Sequence, residues 1–93
     1  MIEVKGRNGE SIVLDGGFVS KFRHDGKEEA AKNPASTYRQ CDVTPKKRKK
    51  RDADAEPEYD VMLAMSSFMA LTIGEAQRPA LDALVAELEA QRG

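Results

Sequence analysis

Ninety-three residues, 40% apolar and 33% charged, with one cysteine, one histidine and no tryptophan, suffice for one small domain around one core. No apolar run approaches the ~20 residues of a membrane span, and no charged-then-apolar signal peptide opens the chain. The lone cysteine, Cys41, cannot close an internal disulfide, which fits a reducing cytoplasm, and one cysteine with one histidine, His24, excludes clustered Cys/His zinc sites.

The first 26 residues predict an antiparallel β-meander. Ile2 and Val4 alternate with polar neighbours before Gly6-Arg7-Asn8-Gly9. Asn8-Gly9 is a strong hairpin signal, because both residues tolerate the positive φ of a type I′ turn. Ile12, Val13 and Leu14 form the return strand, Asp15-Gly16-Gly17 the next turn, residues 18–22 a third strand, and Asp25-Gly26 its end. Ile12 with Leu14, and Phe18 with Phe22, are expected on the buried face.

Residues 27–36 are polar, contain Asn33-Pro34 and predict a loop; a helical turn over 27–32 would have only a weak alanine face. Residues 36–43 hold Thr, Tyr, Cys and Val and predict a fourth strand. Over residues 59–73 two periodicities compete. Val61, Leu63 and Met65, then Met69, Leu71 and Ile73, alternate as strands do. Met62, Met65 and Met69 also stand at helical spacing. Two strands separated by Ser66-Ser67 are preferred, with the methionines as core filler or as an apolar contact surface. Leu81, Leu84, Val85 and Leu88 then mark one stripe of an amphipathic helix with Pro79 in its first turn. The expected fold class is α+β: an antiparallel meander or small partial barrel packed by one C-terminal helix.

Charge is distributed unevenly about a net −1. Lys46, Lys47, Arg48, Lys49, Lys50 and Arg51 are followed by Asp52, Asp54, Glu56, Glu58 and Asp60 on every second residue. Adjacent like charges repel, so residues 44–58 predict a charged loop or hairpin insert within a single domain, 1–93. An extended backbone would project all five acids from one face.

Two stretches carry a resemblance. Ile2-Glu3-Val4-Lys5-Gly6, Asn8-Gly9 and Leu14-Asp15-Gly16-Gly17-Phe18-Val19 resemble the opening of a family of small domains found in actinobacteria and their phages. That family has no assigned function and carries a pleckstrin-homology-like β-barrel. Ile73-Gly74, Gln77, Pro79-Ala80-Leu81 and Ala83-Leu84 are similar to its closing strand and C-terminal helix. Residues 27–58 depart from it, with a polar insert where central strands are expected. The resemblance implies a small sheet capped by a helix and a protein-binding role; it transfers no catalytic residue.

The residue pattern contains no catalytic constellation. His24 adjoins a turn without a nucleophile partner, and Cys41 reads as a half-buried strand residue. The acids from Asp52 onward fail the calcium-loop pattern, having Pro57 and Leu63 where glycine and glutamate are required. Gly16-Gly17 lacks the lysine of a phosphate loop. No cofactor, metal or small-molecule substrate is expected. The leading expectation is a non-enzymatic protein-binding module, cytoplasmic or in a virion if phage-encoded. It would dock on a host or virion protein, or on its own copies. Its contacts would be residues 46–51, the acidic strip and Met62, Met65 and Met69. The alternative is a nucleic-acid-binding accessory protein with the basic run on phosphates. No aromatic interleaves that run, so single-strand stacking has no platform there.

Overall fold

The computed structural model describes residues 1–46 and 57–92. Seven strands precede one helix: β1 (Ile2–Lys5), β2 (Ser11–Asp15), β3 (Phe18–Arg23), β4 (Glu28–Pro34), β5 (Gln40–Pro45), β6 (Glu58–Ala64), β7 (Phe68–Gly74) and α1 (Arg78–Arg92). Short 3₁₀ turns at Ala35–Thr37 and Glu75–Gln77 lead into β5 and α1. The strands form two antiparallel sheets, β1-β2-β3-β4 and β5-β6-β7. The sheets do not close into a barrel, so the fold is the expected α+β class in its open form.

The inner faces and the helix share one core. Val4, Ile12, Leu14 and Val19 contribute from the first sheet; Val61, Leu63, Met69, Leu71 and Ile73 from the second; Leu81, Leu84 and Leu88 from the helix. The helical stripe falls as its spacing predicts, with Val85 half-buried beside it and Pro79 at the second helical position, where no N–H is needed. α1 packs on β1 and on the 3₁₀ turn at Ala35–Thr37. Residues 59–73 adopt the strand alternative, β6 and β7 pairing from Glu58↔Gly74 to Ala64↔Phe68.

Five expectations are corrected. The segment 27–36, expected to be loop, carries β4. Ala31 and Asn33 alternate inward, and pairing to β3 outweighs the poor strand propensity of Glu28, Glu29 and Lys32. A β-bulge shifts the register so that Phe22 opposes Glu29 while Lys21 opposes Ala31, leaving Ala30 unpaired. Two central strands thus lie within the stretch read as an insert. The strand expected over 36–43 is β5, beginning later, at Gln40, because residues 35–37 form a 3₁₀ turn.

The parity of β3 is also opposite to expectation. Val19 is fully buried and Phe18 is 46% exposed. Asp15↔Phe18 pairing makes Gly16-Gly17 a two-residue turn with positive φ only at Gly16 (61°), the type II′ pattern, and this sets Phe18, Ser20 and Phe22 on the outer face. The Asn8-Gly9 turn is not type I′, since only Gly9 has positive φ (74°). Residues 6–10 form a wider loop because its backbone is claimed elsewhere. Gly6 N–H bonds the Glu10 carbonyl (2.6 Å), Arg7 N–H the Thr72 carbonyl of β7 (2.8 Å), and Asp25 N–H the Gly9 carbonyl (2.9 Å). Gly6 permits this approach; a Cβ there would lie 2.6 Å from Leu71 Cδ1. Finally, Thr44, Pro45 and Glu58, placed in the charged loop by sequence, are strand residues.

A polar latch ties the end of β4 to the β6–β7 connection. Asn33 is 6% exposed; its Nδ2 donates to Ser67 Oγ (2.8 Å) and its Oδ1 accepts from Ser66 Oγ (2.5 Å). Ser66 N–H donates to Thr37 Oγ1 (3.2 Å). Replacing Asn33 with leucine leaves both hydroxyls without this partner and should cost about 1–3 kcal/mol in urea unfolding. Leu84→Ala opens a cavity under the helix and should cost about 2–5 kcal/mol in the same assay.

Candidate functional site

The β5–β6 ladder places the charged residues that sequence singled out. It runs from Gln40↔Ala64 to Pro45↔Tyr59, and the Lys46 N–H donates to the Glu58 carbonyl at 2.9 Å. The two strands are therefore the stem of a hairpin whose connection begins where the cations begin. Lys47, Arg48, Lys49, Lys50, Arg51, Asp52, Asp54 and Glu56 lie outside the described residues. Lys46, Glu58 and Asp60 are described. The Glu58 carboxylate lies 3.5 Å from Arg7 Nε and 3.9 Å from Lys46 Nζ, joining the stem to the β1–β2 loop.

Strand alternation sorts the remaining residues. Along β6, Glu58, Asp60 and Met62 share the outer face while Val61 and Leu63 enter the core. Across the sheet, Asp42, Met62 and Ala70 form one row, and Thr44, Asp60 and Thr72 the next. Asp60 Oδ1 accepts from Thr72 Oγ1 at 2.9 Å and Asp42 Oδ2 from Gln40 Nε2 at 3.1 Å. Both aspartates are exposed, and neither forms an ion pair among the described residues. Met62 is 39% and Phe68 75% exposed on this face. The Met-rich contact surface is corrected accordingly: Met65 and Met69 fall in the core at 7% and 0% exposure, so only Met62 is presented.

Beside Met62, a groove of about 360 Å³ opens between the sheet face (Asp60, Met62, Ala70) and the loop and strand residues Arg7, Asn8 and Lys21. Lys21 Nζ is held by Glu10 at 2.9 Å. At the loop end of the stem, Tyr59 Oη donates to Glu75 Oε2 (2.5 Å), and the Arg78 guanidinium lies 4.8 Å from the Tyr59 ring centre. These contacts bind the stem to the start of α1. Sequence reasoning missed Arg7, Asp42, Tyr59 and Phe68, which gain meaning only from pairing. The phase of Asp42 and Asp60 within alternating strands was the one available signal.

The two groups with chemical potential of their own are placed unremarkably. His24, in a positive-φ turn (54°), lies 3.2 Å from Glu28 Oε2 at the surface. Cys41 is half-buried, and burial first, then the Asp42 carboxylate, push its thiol above the ordinary range despite the Arg78 guanidinium. Among the described residues no group of His, Cys, Asp and Glu is arranged to hold a metal, and no helix is long and apolar enough to cross a membrane. Comparison with protein-family models, curated proteins and solved structures finds no match.

A raised thiol pKa leaves little thiolate near neutrality. At pH 8 the folded protein should react with a thiol reagent several-fold more slowly than the urea-unfolded chain, and folding stability should fall as pH rises past the unfolded thiol's pKa. An equal or faster folded-state rate would contradict the burial of Cys41.

Proposed function

We propose that the chain is a non-enzymatic protein-binding module working through the β5–β6 hairpin and the outer face of the sheet that carries it. The observation supporting this reading is the stem itself. Its ladder ends on the Lys46–Glu58 backbone bond, directly before five further cations in sequence, and its outer face holds Asp42, Asp60 and the exposed Met62. Opposite signs at two places on one element accelerate encounter and fix register, while Met62 and Phe68 supply apolar contact. The same acids favour protein over nucleic acid, because phosphates drawn to the basic run would meet Glu58 and Asp60. In line with the resemblance to small domains of actinobacteria and their phages, the partner would be a host or virion protein, met in the cytoplasm or in the particle.

The test compares the wild type with a variant carrying serine at residues 46–51 and with Met62→Glu. Capture from a lysate of the encoding organism should yield a partner that both variants lose and that salt weakens. Duplex and single-stranded DNA, titrated at two salt concentrations, should show no binding. DNA affinity that falls steeply with salt, with a slope approaching about −0.9 per contacted phosphate, and that vanishes in the serine variant would transfer the function to nucleic acid.

A further inference from the structure

The outer face of the four-stranded sheet takes no part in the hairpin. A sheet packed on one side ordinarily shows water a polar outer face. Here Val13, Phe18 and Phe22 line a shallow groove of about 440 Å³ with Met1, and Phe18 is 46% exposed. Charged side chains flank these residues on the outer strands. The register arranges them in rows: Glu3, Val13, Ser20 and Lys32 cross the sheet in one, and Lys5, Ser11, Phe22 and Glu29 in another. The β4 bulge is what brings Glu29 and Lys32, three positions apart, onto the same face.

Each row therefore ends in opposite charges, and the order of signs reverses from one row to the next. The Lys5 backbone N–H donates to Gln77 Oε1, but the side chains of Glu3, Lys5 and Glu29 form no ion pair or hydrogen bond among the described residues, while Lys32 Nζ sits 4.9 Å from the Phe18 ring centre. Consider a second copy stacked face to face about a twofold axis parallel to the strands and midway between β2 and β3. This operation lays β1 of each copy over β4 of the other within the same row. Glu3 then meets Lys32 of the second copy, and Lys5 meets its Glu29. Symmetry repeats each pair, giving four complementary contacts; between them β2 of each copy lies over β3 of the other, so that Val13 faces Ser20, Phe22 faces Ser11 and Phe18 faces Asp15. Sheets pack in this way at about 10 Å, with strands inclined by about 30°, an offset that long Lys and Glu side chains span.

We propose that this face is the contact between two copies of the chain, an isologous dimer with Val13 and Phe22 on its inner strands and Glu3–Lys32 and Lys5–Glu29 pairs at its margins. The surface is distinct from the hairpin, so a protein partner bound there is compatible with the dimer. Four strands at about 4.8 Å spacing and about five residues in length give a face roughly 15 by 17 Å. That is below the ~800 Å² per partner of a standard interface, so the dimer is weak and concentration-dependent.

Sedimentation equilibrium of the full chain from micromolar to millimolar concentration tests the proposal. The mass should rise towards twice the monomer with concentration, and Phe22→Lys, at a half-exposed position, should raise the dissociation constant at least about tenfold. Lys32→Glu should raise it about fivefold or more through like-charge contact with Glu3. The double variant Glu3→Lys with Lys32→Glu should restore it to within about twofold of the wild type, because the swap recreates both pairs across the axis. Circular dichroism checks that each variant is folded; should Phe22→Lys unfold, the two charge variants still decide. A monomer at every concentration, a dimer insensitive to these changes, or failure of the swap to restore association would each overturn the proposal, the first by leaving the face to a foreign occupant. Loss of the hairpin partner with the dimer intact would overturn only the function proposed above.

Discussion

One shared core governs the rest of the structure. Neither sheet has a partner for its inner face except the other sheet and α1, and α1 has no other place for Leu81, Leu84 and Leu88. A chain of this length buries too little surface to divide that core. The helix depends on this assembly most directly, since 15 residues are marginal as an isolated helix. Because no backbone ladder joins the sheets into a barrel, polar contacts complete their junctions. Asn33 meets Ser66 and Ser67 at one corner, the Arg7 N–H meets the Thr72 carbonyl at another, and Tyr59 with Glu75 and Arg78 ties the second sheet to the helix.

What could be read from sequence was whatever local periodicity determines. The helix was legible because four apolar residues at helical spacing have no competing pattern. β6 and β7 were legible because Val61, Leu63, Met69, Leu71 and Ile73 keep strict alternation, which outweighed the helical spacing of the methionines. What was hidden depends on contacts distant in the chain. β4 is held by pairing and not by composition. The local pattern alone puts Phe18 and Phe22 on the buried face; the two-residue turn before Phe18 sets the opposite parity and sends the smaller Val19 to the core. Asn8-Gly9 fails as a tight turn because Thr72 and Asp25, remote in sequence, take up its loop's hydrogen bonds.

The same reasoning separates the two halves of the candidate site. The basic run and its following acids were visible as composition, but their support was not. Only the ladder reveals that Glu58 and Asp60 belong to a strand and that Met62 joins them on the outside while Met65 and Met69 do not. The two sheets thus differ in the outer faces they carry. The three-stranded sheet has an acidic, thinly apolar face with the stem that leads into the basic run; the four-stranded sheet has aromatic rings bounded by charges of alternating sign. Both surfaces are built from the residues left over once alternation has filled the core.

The bulge in β4 has a consequence for how this chain can associate at all. β4 is an outer strand, where an unbroken run of free amides and carbonyls invites an intruding chain to extend the sheet. With Ala30 out of step, charges at Glu28, Glu29 and Lys32, and Pro34 donating nothing, that border offers no continuous template for templated growth. Exposed Phe18 then lies next to a strand border that gives an intruding chain no continuous run of hydrogen-bonding partners.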